Sequence, residues 1–195
     1  MDNKISFTSR IRLVPMNEFY NTAFKIGEKK FVKDPWTIKE SVLADSAYTT
    51  DILDCTICGL TDGEKVLLTH ICPTNPANDS FAKIEKFMLS KINVVNKYLQ
   101  GFLLGSKPNN INSPNSTKLF DKFVEFMKKY DIPFSQFKGG PFENHVAYSS
   151  RTDEWVISNC GITEGINRIY KQNPLPLFDK IFDEVKVSDL DEIVL

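Results

Sequence analysis

Asp51-Ile-Leu-Asp-Cys-Thr-Ile-Cys-Gly-Leu-Thr-Asp-Gly-Glu-Lys-Val-Leu-Leu-Thr-His-Ile-Cys-Pro73 carries three of the chain's four cysteines and one of its two histidines. Two apolar, β-branched runs flank Thr61-Asp62-Gly63-Glu64. Asp-Gly between such runs is a strong short-range signal for a two-residue hairpin loop. With Asp62 and Gly63 as the loop, Thr61 faces Glu64, and counting outward along the ladder Cys55 faces His70. Period-2 alternation sends Leu53, Cys55, Ile57, Val66, Leu68, His70 and Cys72 to one face, and Cys58, Leu67, Thr69 and Ile71 to the other.

A thiol directly opposite an imidazole is close enough to share a proton. An imidazole that accepts that proton leaves a thiolate, the nucleophilic form of cysteine. Three other readings fit the same residues. Buried cysteine and histidine on an apolar hairpin are common structural features. Cys55, Cys58, His70 and Cys72 form a Cys-x-x-Cys plus His-x-Cys set of the kind that binds zinc, although alternation turns Cys58 away unless a bulge slips the register. A thioredoxin-like redox pair needs its Cys-x-x-Cys at a helix start, whereas this segment reads as strand.

The chain's 195 residues suit one substantial domain, read here as residues 1–195. A net charge of -1 with interspersed signs argues against a nucleic-acid or membrane-surface binder, since both need a concentrated basic face. The N-terminal residues lack the order of a secretory signal, and no apolar run approaches the roughly 18 residues of a bilayer span. Four cysteines spaced this way do not read as a disulfide framework, which points to the reducing cytosol.

Along the chain, residues 11–15 read as a short strand, 16–25 as a helix and 37–44 as a helical turn, with 46–50 leading into the hairpin. Phe81, Ile84, Met88, Ile92 and Val95 recur at helical spacing, which predicts an amphipathic helix over 81–97. Residues 98–105 read as a buried strand and 106–115 as a polar loop. Ser116 or Thr117 is placed to cap a second helix whose stripe is Leu119, Phe120, Phe123, Phe126, Met127 and Tyr130. Strands follow over 131–140, 145–150 and 154–158, then helices over 162–172 and 175–185 and an acidic tail. His145, at a strand start, is an alternative base for Cys55.

With the hairpin placed, the order of elements resembles the CheD-like cysteine hydrolases, which include the chemoreceptor glutamine deamidase and the catalytic domains of the cytotoxic necrotizing factor toxins. The resemblance covers residues 46–158. It rests on Thr49 six positions before Cys55, on the turn at Thr61-Asp-Gly-Glu, on Val66-Leu-Leu-Thr-His70-Ile-Cys-Pro73, and on the downstream order of elements with Gly101 and Gly105 in one strand. It departs at Leu53 and Asp54, where the family carries small residues and glycine. The resemblance implies an α+β fold, a mixed or antiparallel β-sandwich-like core flanked by helices. It implies hydrolysis of a glutamine side-chain amide on a protein substrate, or transglutamination, with Cys55 as nucleophile, His70 as base and Thr49 or Thr50 orienting the imidazole. No metal or organic cofactor is implied, and the partner is a protein bearing the target glutamine. A cytoplasmic enzyme and an effector or toxin delivered into a host cell share these features. The reading of a different class is a non-catalytic, zinc-stabilised or structural domain that binds a partner.

Overall fold

The computed structural model describes residues 8–27, 31–32, 41–73, 81–105, 114–138 and 144–159. The expected helices over 162–172 and 175–185, the acidic tail, Cys160 and most of the 106–115 loop lie outside these residues. In chain order the elements are β1 (Arg10–Leu13), α1 (Met16–Ile26), β2 (Phe31–Val32), β3 (Val42–Ala44), β4 (Ser46–Ile52), β5 (Thr56–Thr61), β6 (Val66–Ile71), α2 (Phe81–Leu89), β7 (Gln100–Gly105), α3 (Pro114–Lys129), β8 (Phe134–Lys138), β9 (Asn144–Ser149) and β10 (Glu154–Asn159).

Among the described residues the strands form two mixed five-stranded sheets, ordered β1-β10-β9-β4-β2 and β3-β6-β5-β7-β8. Alternation gives each sheet an inner and an outer face. Ala47, Ile52, Val146, Tyr148, Trp155 and Ile157 of the first sheet meet Ile57, Val66, Leu68, Phe102, Leu104 and Phe137 of the second in one buried cluster. Outside the first sheet, α1 buries Met16, Phe19 and Ala23 against Ala147 and Val156. Outside the second, α2 and α3 cover Cys58, Leu60, Leu67, Ile71 and Leu103, and Phe120, Phe123, Phe126 and Met127 of the expected α3 stripe are buried there. The fold is therefore α+β, a pair of mixed sheets face to face with helices on both outer faces.

One contact sets how closely the sheets approach. The Trp155 indole stacks on Phe102 at a centroid distance of 4.3 Å and an interplanar angle of 9°. Phe102 is the ladder partner of Gly59. A Cβ built on Gly59 would lie 2.1 Å from Cη2 of Trp155, so the indole occupies the space a side chain would need.

Several sequence expectations are corrected. The helix expected over 81–97 ends at Leu89. Past it, Ser90 Oγ donates to the Phe87 carbonyl, while Asn93 and Asn96 side chains accept from the N–H groups of Val95 and Tyr98. Short polar side chains that bond nearby backbone compete with helix continuation. The helical turn expected over 37–44 gives way at Val42–Ala44 to β3, which pairs antiparallel with β6. Pairing with that strand's open edge outweighs a weak local preference. Helix α3 begins at Pro114, so Ser116 lies inside its first turn and its hydroxyl bonds elsewhere, as described below.

Replacing Gly59 with alanine forces a methyl group into the Trp155 ring. Overpacking of this kind costs about 1–3 kcal/mol. Gly59→Ala should lower the urea midpoint of unfolding by a corresponding amount, whereas alanine at solvent-facing Gly27 should be penalised only through its backbone angle.

Candidate active site

The hairpin turns one residue later than the Asp-Gly signal predicts. Its two-residue loop is Gly63-Glu64, closed by the Asp62 N–H on the Lys65 carbonyl at 3.3 Å. Gly63 takes φ 92° at the first loop position, where type II′ turns favour glycine. The Asp62 carboxylate stabilises this choice by accepting from the N–H groups of Glu64 and Lys65 at 3.1 and 2.9 Å. Asp62 therefore serves as the flanking residue whose side chain caps the loop.

The later turn shifts the register. Thr61 faces Val66 and His70 faces Ile57, so the expected direct opposition of Cys55 and His70 is not formed. Cys55 precedes β5 by one residue, just outside the paired ladder. The shift is two residues, so the side chains within β5 and β6 keep their expected faces. His70 accordingly shares the inner face with Ile57 and Leu68, and Cys55 packs against the same inner cluster.

Across the sandwich, β4 presents Thr49, which pairs with Val146 on the inner side of its own sheet. Thr49 Oγ1 lies 2.7 Å from Nδ1 of His70, in a hydrogen bond that spans the two sheets. Both side chains are buried. Thr50 enters the irregularity that interrupts β4–β9 pairing between Thr49 and Ile52, and the hydroxyl that meets His70 is that of Thr49. With Nδ1 engaged by Thr49, Nε2 is the other ring nitrogen, and it is buried as well.

His145 is not brought to this site. It pairs with Ser158 across β9 and β10 and packs on Phe19 of α1 at 5.5 Å between ring centroids, on the outer side of its sheet. Cys58 lies on the other face of the hairpin, in the cluster under α2 and α3. Burial pushes its thiol pKa well up. Cys55, Cys58 and Cys72 are thiols rather than disulfides. Among the described residues no three His, Cys, Asp or Glu side chains converge as metal ligands would, and Cys58 is separated from the rest of the zinc-type set. No helix among them is long and apolar enough to cross a membrane.

Three further residues hold the Cys55 loop. Ser116 of α3 donates to the Asp54 carbonyl at 2.7 Å, Asn144 of β9 donates to the Ile52 carbonyl at 3.4 Å, and Gly105 of β7 lies against the Cys55 backbone. Sequence reasoning offered Ser116 or Thr117 as a helix cap and gave Asn144 no role, because contacts 62 and 92 residues apart leave no local pattern.

The site thus combines a half-buried thiol with a buried histidine oriented by a threonine from the facing sheet, an arrangement suited to nucleophilic chemistry by cysteine. No protein-family model matches the chain, and no curated protein matches it.

Cys58 should remain unlabelled by iodoacetamide in the folded protein at about pH 8 and react once the protein unfolds. Its raised folded pKa means that the folded state holds the thiol proton more tightly than the unfolded state does. Stability is therefore unaffected below the ordinary thiol range and falls as pH rises above it. Urea midpoints compared at about pH 7 and pH 10 should drop, and the drop should be smaller in Cys58→Ala.

Proposed function

We propose that the chain is a cysteine-dependent protein glutamine deamidase with a CheD-like fold. The observation that carries this reading is the 2.7 Å bond from Thr49 Oγ1 to His70 Nδ1, which fixes the imidazole from the facing sheet in the manner of a nucleophile–base–orienter set. The sandwich with outer helices, and Thr49 six residues before Cys55, support it further.

In this mechanism His70 takes the Cys55 proton at Nε2, and the thiolate adds to the carboxamide carbon of a substrate glutamine. The negative oxygen is stabilised by backbone N–H groups beside Cys55, and such donors are worth about 3–4 kcal/mol each where they have been removed in other enzymes. The intermediate collapses with loss of ammonia, which receives its proton from His70, and leaves a thioester. Water deprotonated by His70 then hydrolyses the thioester to glutamate and restores the thiol. Thr49 keeps Nδ1 engaged through each of these proton transfers. A substrate amine replacing water would make the same site a transglutaminase.

Limiting iodoacetamide at pH about 6, where an ordinary thiol with a pKa of roughly 8.5 is almost wholly protonated, tests the dyad. Cys55 should be labelled selectively in the native protein, as located by mass spectrometry, and labelling should fall by about tenfold or more in His70→Ala and by less in Thr49→Val. Labelling of Cys55 that is no faster than that of Cys72, and indifferent to His70, would remove the catalytic reading.

A further inference from the structure

The segment that carries Cys55 crosses from one sheet to the other, from the end of β4 at Ile52 to the start of β5 at Thr56. Its backbone carbonyls are gripped from outside. Asn144, 5 % exposed, holds the Ile52 carbonyl through Nδ2. Ser116, 1 % exposed, holds the Asp54 carbonyl at 2.7 Å through its hydroxyl. On the other side of the cysteine, a Cβ on Gly105 would lie 2.9 Å from the Cys55 carbonyl oxygen and 3.0 Å from Thr56 Cα, so β7 presses directly on this backbone.

A trans peptide unit is planar, with its carbonyl and N–H pointing in opposite directions. The bond to Ser116 turns the Asp54 carbonyl toward α3. The N–H of the same unit belongs to Cys55, and it therefore points away from α3.

We propose that Ser116 is a positioning residue for acyl transfer at Cys55: by anchoring the Asp54 carbonyl, it aims the Cys55 N–H at the oxygen that becomes negative when the thiolate adds to a carbonyl carbon. The inference rests on Cys55 being the nucleophile. As sulfur bonds to the carbonyl carbon, the π pair of the C=O moves to oxygen, where the N–H donates to it. Collapse restores the C=O and breaks the bond to the leaving group. Ser116 touches none of the reacting atoms and acts through one peptide unit.

Two reactions of the same thiol separate this role from a merely structural one. Iodoacetamide is attacked at a saturated carbon, iodide leaves, and no oxyanion forms. p-Nitrophenyl acetate is attacked at a carbonyl, passes through an oxyanion and releases p-nitrophenolate. Both rates would be measured at Cys55 in the full chain for the wild type, Ser116→Ala and Ser116→Thr, with the modified residue located by mass spectrometry. Ser116→Ala should slow acylation by about tenfold or more while alkylation and its pH profile stay within about twofold, and Ser116→Thr, which keeps the hydroxyl, should recover most of the acylation rate. If Ser116→Ala does not fold, Ser116→Cys, similar in size and a weaker donor, is held to the same expectation. Parallel loss of both rates, or unchanged acylation, overturns the positioning role. A wild-type Cys55 that reacts selectively with neither reagent overturns the nucleophile reading instead, and the two failures are distinguishable.

Discussion

The Trp155 indole, stacked on Phe102 and standing over Gly59, is the contact on which the arrangement of the two sheets depends. Face-to-face sheets pack about 10 Å apart, with their inner side chains filling the space between. At this position one sheet contributes an indole and the other contributes a glycine beside a phenyl ring. Large and small residues are thus matched across the interface, which allows close packing without strain. Tyr148 adds a second aromatic contact to Trp155 at 4.8 Å.

The candidate site inherits its geometry from that packing. Thr49 and His70 belong to different sheets, yet their polar atoms meet at 2.7 Å, a distance that tolerates little change in sheet separation. Burial makes the bond more consequential, because a buried ring nitrogen or hydroxyl that loses its partner costs about 1–3 kcal/mol. The cysteine occupies a different kind of position, on the backbone that leaves one sheet and enters the other. It is held there by Ser116 from α3, Asn144 from β9 and the close approach of Gly105 from β7. A rigid sandwich orients the imidazole, while a crossing segment fastened at its carbonyls places the thiol. The thiol is thereby left half-buried while the imidazole is enclosed.

The two histidines show how burial alone fails to separate roles. His70 and His145 are both almost fully enclosed. His145 lies beneath α1 against Phe19, on the outer side of a sheet. His70 faces inward and has a hydroxyl on Nδ1. The same contrast divides the cysteines, since Cys58 is sealed under the helices, with its thiol pKa raised by burial, while Cys55 stands half-buried where the strand begins.

Much of this was legible in the sequence, for local reasons. Two apolar runs around Asp62-Gly63 specify a hairpin, strict alternation assigns Cys55 and His70 to one face and Cys58 to the other, and the aromatic stripe of α3 declares its buried side. The two-residue spacing symmetry of strands protected the face assignment even though the turn formed one residue later than expected. The turn's exact placement depended on the Asp62 carboxylate reaching the N–H groups of Glu64 and Lys65, a competition between two neighbouring loops of similar local preference. What only the tertiary structure decided is everything that joins segments distant in sequence: the pairing of Val42–Ala44 with β6, the stacking of Trp155 over Gly59, and the bonds from Ser116 and Asn144 to the Cys55 loop. Periodicity along a chain fixes which way a side chain faces within its own element, whereas its partner is set by how the described sheets and helices pack on one another.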